Sequence, residues 1–227
     1  MDLNLTLKSL VNETIAPLLK TLGFKKSGYN FYREAEEIGV SINLQQSKWN
    51  SAEAKQFTIN VGLVHKEIFR TMCSKELTKF PKEYDCLIST RLSHLKHEKD
   101  NWYELNVNTD FSSIANQFNN DILDYLIPFI KKYEQFQNWI DFTTLENSKF
   151  VISDTTKFYI LIKFNKLHEA NHLLKELHKK SITPQRSSST ITYPDGTSIT
   201  TESEPYVNWS YVNNLKDIAK KFDINLE

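Results

Sequence analysis

From Leu7 to Leu22 apolar residues return at every third or fourth position: Leu7, Leu10, Val11, Ile15, Leu18, Leu19 and Leu22. That spacing draws one apolar stripe along an α-helix. It predicts a helix over residues 4–22, ended by Gly23, where a left-handed residue closes the last turn. Pro17 lies inside it. Proline has no amide hydrogen and crowds the carbonyl four residues back, so the helix is expected to kink there or to leave a carbonyl unpaired. From Tyr29 onward the period drops to two. Ile38, Val40, Ile42 and Leu44 point one way and Ser41, Asn43, Gln45 and Ser47 the other, while Phe57, Ile59, Val61 and Leu63 oppose Thr58 and Asn60. One apolar and one polar face per strand suits an antiparallel sheet covered on one side, joined by hairpins. Strands are predicted over 29–34, 38–49, 57–65, 86–95 and 101–107, with a short helix or irregular turn near 66–80. Beyond Asp110, a capping residue, Ile114, Phe118, Ile122, Tyr125, Phe129 and Tyr133 predict a second long helix on the apolar face. Pro128 interrupts it as Pro17 interrupts the first.

The remainder reads differently. TTKFYILIKFNKLHEANHLLKEL shows an apolar helix, a polar break around Asn165 and a second helix with Ala170, Leu173, Leu174 and Leu177 on one side. The Ser/Thr-rich stretch over about 181–210 carries a PDG triplet, either the tip of a hairpin or part of a mobile loop, and a last helix is predicted at about 211–222. The fold class is therefore α+β. An antiparallel sheet of four to five strands is expected to be packed on one face by helices, in a domain over residues 1–145. Residues 146–227 are expected to form a C-terminal helical appendix.

Composition narrows the function more than the fold. Lys plus Arg equals Asp plus Glu at 28 each, so the strong positive field of a sequence-independent nucleic-acid binder is missing. Only five glycines occur, and neither GxxxxGK[ST] nor GxGxxG is present to cradle a phosphate. The two cysteines, Cys73 and Cys86, have no CxxC spacing and read as reduced thiols of a cytoplasmic protein. The N-terminal segment reads as a helix rather than an export signal, and the densest apolar run, FYILIKF, is too short to span a bilayer. No membrane association is expected.

The runs LKTLGFKKSGYNFYRE, VSINLQQSKWN, FTINVGLV and ISTRLSHL with WYEL, in that order, resemble a bacterial family known as domain of unknown function 4304. The resemblance covers about residues 5–140. Its most specific pieces are Leu22-Gly23-Phe24, Gln45 through Trp49, Asn60 with Gly62, Arg91 and Trp102. It implies a bacterial, cytosolic α+β domain, sometimes encoded near toxin and immunity genes. It implies no known reaction and no catalytic residue.

HEANH, residues 168–172, is a complete HExxH. On a helix His168 and His172 share a face and can reach one Zn²⁺ while Glu169 activates its water. The extended form of the motif needs a glycine midway to the third histidine, where the chain leaves the helix. Lys175 stands there. If the helix simply continues, His178 lies about 15 Å along the axis from His168 and on another face. The segment is better read as the second helix of a tetratricopeptide-like pair with Ala170 as the small contact, and no metal or other cofactor is implied. His94 and His97 fall in a charged turn between strands, and Glu36 with Glu37 in a hairpin.

The polar face of the sheet carries a different signal. Asn43, Gln45, Ser47, Thr58, Asn60 and Arg91 are expected on one side, with Ser89 and bordered by Trp49 and Trp102. Amides, hydroxyls, one arginine and two tryptophans suit a recognition surface. Arg91 is expected to be free to offer its fork to a ligand, so that Arg91→Ala leaves the melting temperature nearly unchanged. The expected protein is thus a non-enzymatic cytoplasmic recognition protein of the immunity type, which binds and neutralises a toxin. Two alternatives stand beside it: a zinc-dependent hydrolase using His168, His172 and Glu169, and a nucleic-acid-associated module.

Overall fold

The structure is a computed structural model that describes residues 2–144, 149–193 and 196–226. The chain divides into two compact units, Met1–Ile160 and Leu161–Glu227.

The first unit opens with helices α1 (Leu3–Ser9) and α2 (Ala16–Thr21), joined by a π turn over Leu10–Ile15. Asp2 caps α1 by accepting the N–H groups of Asn4 and Leu5. The π turn is how the chain tolerates Pro17. Ala16, just before the proline, donates to Val11 five residues back, and the widened turn makes room for the ring. The stripe Leu3, Leu7, Leu10, Val11, Ile15 and Leu19 is buried throughout. Gly23 takes a φ of 84°, and the N–H groups of Gly23 and Phe24 close on the carbonyls of Lys20 and Leu19, the paired bonds of a Schellman end.

The sheet follows: β1 (Lys25–Ser27), β2 (Asn30–Ala35), β3 (Ile38–Gln46) and β4 (Ala54–His65), each antiparallel to the one before. Helix α3 (Lys66–Cys73) is capped by the His65 imidazole, and it leads to β5 (Ile88–Arg91), a one-turn helix α4 (Leu92–Leu95) and β6 (Tyr103–Asn106). The expected strand over 86–95 therefore ends at Arg91. Leu92 and Ser93 are buried in the helical turn that replaces it. Nor do β5 and β6 pair with each other as a hairpin. Both pair with the long β4, β5 along Asn60–Leu63 and β6 along Ala54–Phe57.

Helices α5 (Phe111–Asp121) and α6 (Ile127–Tyr133) are joined by a second π turn, Ile122–Leu126, two residues before Pro128. Ile127 donates to Ile122, repeating the Ala16 to Val11 bond, so both prolines are met by the same local widening. As expected, Asp110 caps α5 by accepting from Ser112 and Ser113. Phe118 of α5 packs on Phe57 of β4 with ring centroids 5.8 Å apart, which places the helix on the apolar face formed by Val40, Ile42, Ile59, Val61 and Leu63. Helix α7 (Asp141–Thr144) and β7 (Val151–Ile152) follow, and β7 pairs with β5. Among the described residues seven strands make one sheet, in the order β1-β2-β3-β4-β5-β7 with β6 beside β4. The first unit thus runs beyond the expected boundary near 145, because β7 extends the sheet and Phe150 stacks on Phe129 at 5.9 Å and meets Phe142 edge-on at 5.3 Å.

The division falls inside helix α8 (Asp154–Lys163). In the second unit Asn165 takes a φ of 55°, and Asn165 and Lys166 donate to Ile162 and Leu161, so the polar break is a second Schellman end. Helix α9 (Leu167–Ser181) runs unbroken through Lys175, buries Ala170, Leu174 and Leu177, and packs against α10 (Trp209–Lys221). The Ser/Thr-rich stretch is an exposed hairpin of β8 (Ser188–Thr192) and β9 (Ser198–Glu202). Pro194 and Asp195 of the PDG triplet lie outside the described residues. No helix among the described residues is long and apolar enough to cross a membrane.

Candidate functional site

Strand register builds the site. Asn30 on β2 stands opposite Asn43 on β3, Asn43 opposite Asn60 on β4, and Asn60 opposite Arg91 on β5. Residues directly opposite in an antiparallel sheet share a face, so three asparagines and an arginine form one polar row across four strands. The row is tied in two groups. Asn43 Nδ2 donates to Asn30 Oδ1 at 2.8 Å, Asn60 Nδ2 to Gln45 Oε1 at 2.8 Å, and Arg91 Nε to Asn60 Oδ1 at 3.3 Å. The guanidinium also forms an ion pair with Asp100 and lies 5.3 Å over the Trp102 ring.

This corrects the expectation that Arg91 is a free fork. All three of its nitrogens are engaged, Nη2 donating to Gln45 Oε1 at 3.4 Å, and its side chain is only 28% exposed. The face is also less open than alternation implies. One half is roofed by the segment after α3: Ser41 Oγ donates to the Pro81 carbonyl at 2.7 Å, and Tyr32 lies over Gly39. Cys86 sits directly on Gly62, where an added Cβ would come within 2.6 Å of Sγ. Burial pushes the Cys86 thiol up to about 12, so it stays protonated. Burial, helped by Glu34, likewise pushes the Tyr32 hydroxyl up to about 12. Thr58 is buried, with a long 3.5 Å contact from its hydroxyl to the Asn101 carbonyl. Ser47 and Trp49 belong to the β3–β4 turn, where Ser47 Oγ accepts the Trp49 N–H at 3.2 Å.

The uncovered part is a concavity of about 440 Å³. Gln45, Asn60, Ser89 and Arg91 form its base, His94, Asp100 and Glu83 its sides, and Lys149, Phe150 and Val151 one wall. Hydrogen bonding to Arg91 holds the Asp100 carboxyl below the usual carboxylate range, so the pair is charged at neutral pH. Of the expected residues Gln45, Asn60, Ser89 and Arg91 line the concavity, Asn43 stands beside it in the row and Trp102 under the Arg91 guanidinium, and Ser47, Trp49 and Thr58 lie apart from it. Asn30 in the row, and His94, Asp100 and Lys149 in the concavity, were not singled out for the site. Asn30 was legible from its place in the first strand; Asp100 and Lys149 come from loops that no periodicity marks.

A second polar cluster lies at the C-terminal end of α5. Asp121 is buried and accepts from Lys96 Nζ at 3.0 Å and from the Tyr103 hydroxyl at 2.5 Å, with Glu98 3.2 Å from the same ammonium. Burial opposes the charge on Lys96, but the bonds to Asp121 and Glu98 outweigh it and raise its pKa. Burial and then Asp121 raise that of Tyr103.

His168, Glu169 and His172 lie exposed on α9. Glu169 is held below the usual carboxylate range by its own backbone N–H and by Lys166. Among the described residues no group of three His, Cys, Asp or Glu side chains is arranged to hold a metal ion.

A family model described as domain of unknown function (DUF4304) matches residues 15–132. The chain belongs to the DUF4304 family. Comparison with curated proteins and with solved structures found no match. The DUF4304 region runs from the first π turn into α6 and holds the whole polar row, Asp100 and Trp102, whereas the Lys149–Val151 wall lies beyond it.

Proposed function

We propose that the protein is a non-enzymatic binding module that captures a protein partner on the open part of its polar sheet face, in the manner of an immunity protein neutralising a toxin. The observation that supports this reading is the preformed polar row. Its amides and guanidinium are held by one another before any partner arrives, so little side-chain entropy remains to be lost on binding. Val151 on the concavity wall is an apolar anchor, 74% exposed, and Trp49, 80% exposed at the tip of the β3–β4 hairpin outside the concavity, is a second exposed apolar side chain. A polar centre flanked by exposed apolar side chains fits a protein surface better than a small metabolite. The family span separates a shared base from a wall outside it, an arrangement that suits one scaffold meeting different partners.

The test is co-expression with the products of neighbouring genes, followed by affinity capture on the wild-type chain and on the double variant Asn43→Ala/Val151→Glu. A partner held by the wild type and lost by the variant at unchanged melting temperature supports the reading, and growth rescue from that partner's toxicity supports its immunity form. Equal capture by both chains removes the polar face as the site.

A further inference from the structure

A second concavity, of about 390 Å³, lies beside the roofed half of the sheet and shares no lining residue with the one around Arg91. Register and helix period bring its walls together. Lys25 on β1 stands opposite Tyr32 on β2, and Glu34, two residues further along that strand, shares the face. Lys66 and Arg70 are four apart on α3 and so lie on one side of it, while Glu76 and Lys79 come from the segment that follows. Four cationic side chains thus line the concavity against two carboxylates, in a chain whose charges balance at 28 each. Both carboxylates are taken. Glu34 pairs with Lys66, and Arg70 holds both oxygens of Glu76 at 2.7 and 3.1 Å. Lys25 and Lys79 are in no ion pair among the described residues, which leaves two positive charges in excess.

Tyr32 is an independent sign of a ligand. It lines the concavity and is only 5% exposed, yet its hydroxyl has no hydrogen-bond partner among the described residues. The oxygen still reaches solvent. It lies over Gly39, where an added Cβ would come within 2.5 Å of it, and Gly39 stands opposite Glu34. The hydroxyl therefore points along the sheet toward the Glu34–Lys66 pair that forms the concavity wall. Burial and then Glu34 keep it protonated, so it has a hydrogen to give. We infer that this concavity is a binding site for a phosphate monoester. The ester carries a charge of about −1.5 to −2 at neutral pH and three terminal oxygens that accept hydrogen bonds, which matches two unpaired lysines and one hydroxyl donor. A single carboxylate would leave one lysine without a countercharge. The volume falls within the roughly 300–1,000 Å³ of small-molecule sites, enough for the phosphate and a few carbons.

Either a phosphorylated metabolite or a phosphorylated side chain carries this chemistry. The full-length protein is titrated by calorimetry at low ionic strength with glycerol phosphate and with N-acetyl-phosphoserine amide, beside their unphosphorylated parents and glutarate. At least one ester is expected to bind with a dissociation constant in the millimolar range or tighter, and neither parent at all. Tyr32→Phe keeps the ring over Gly39 and removes a hydroxyl that bonds nothing in the fold. It is expected to leave the melting temperature unchanged and to weaken the ester by about fivefold. Lys25→Gln/Lys79→Gln, at two exposed positions, is expected to weaken it by about tenfold. Preference for glycerol phosphate identifies a metabolite as ligand; preference for the phosphoserine amide identifies a modified partner. No ester binding at about 10 mM, parents or glutarate binding as tightly as the esters, or unchanged affinity in folded Tyr32→Phe overturns the inference. Unchanged affinity in the lysine double variant overturns it however Tyr32→Phe folds, and returns both lysines to solvated surface charge.

Discussion

Arg91→Ala tests how the polar row is built. The guanidinium makes an ion pair with Asp100, but the two side chains are 28% and 48% exposed, so the pair contributes at most about 1 kcal/mol. Stacking over Trp102 at 5.3 Å adds roughly 0.5–1 kcal/mol. Asn60, 8% exposed, loses the donor that faces its Oδ1, and leaving that oxygen unpaired costs about 1 kcal/mol where water can partly reach it. The sum is about 2 kcal/mol, or a fall of roughly 4–8 °C in melting temperature for a unit of this size. Urea titrations of Arg91→Ala, Asp100→Ala and the double variant give the check. Asp100→Ala alone is expected to cost less than about 1 kcal/mol, and the double variant little more than Arg91→Ala. The pH dependence has a defined sign. Asp100 is depressed in the folded state, so its share is present above the unfolded value near 4 and fades as pH falls through the lower folded value. The cost of Arg91→Ala should therefore shrink in acid. A variant that melts within about 1 °C of the wild type would show that the guanidinium is not tied into the fold, and the account of the row would be wrong.

Other perturbations follow from the same structure. Gly62→Ala drives a methyl group into Cys86 and is expected to destabilise by about 1–3 kcal/mol in urea unfolding; a neutral result would mean that the roof over the sheet is loose. Asp121→Ala leaves the Lys96 ammonium, 12% exposed, with Glu98 alone and the half-buried Tyr103 hydroxyl without its acceptor, and is expected to cost about 2–3 kcal/mol. Lys96 and Tyr103 both have folded pKa values raised above their unfolded ones. Their contribution is full below about pH 10 and lost as pH rises through the folded values, a fall in stability that should be smaller in the Asp121→Ala variant, where the burial of Tyr103 and the Lys96–Glu98 bond remain. A fragment ending at 163 is expected to unfold at higher urea than one ending at 145, because the shorter piece loses β7 and the Phe150 stack; equal midpoints would place the boundary near 145 after all. Elemental analysis of the purified protein is expected to find no stoichiometric zinc, and one tightly held ion lost in His168→Ala/His172→Ala would restore the hydrolase reading.

Local periodicity was enough to place the long helices and strands of this chain, but not β1, α4, α7 or β7. A stripe at every third or fourth residue is itself a helix face, alternation is itself a strand, and Gly23, Asn165 and Asp110 mark helix ends because each supplies a backbone or capping property needed only there. The polar side of β3 and β4 was legible for the same reason. What covers that side was not. Ser41 and Gly62 read like their neighbours Asn43 and Asn60, yet they lie under Pro81 and Cys86, which reach them from a segment with no period of its own. Two proline-broken helices were foreseen, but the π turns that absorb both prolines depend on how each helix is held against its surroundings. The placement of β5 and β6 end to end along β4, and of β7 beside β5, came from pairing across long stretches of chain. Arg91 shows the difference most directly. Its place on the polar face follows from alternation, whereas its ties to Asp100 and Trp102 exist only because the chain turns at α4 and returns as β6, closing a loop whose partners adjacent residues do not specify.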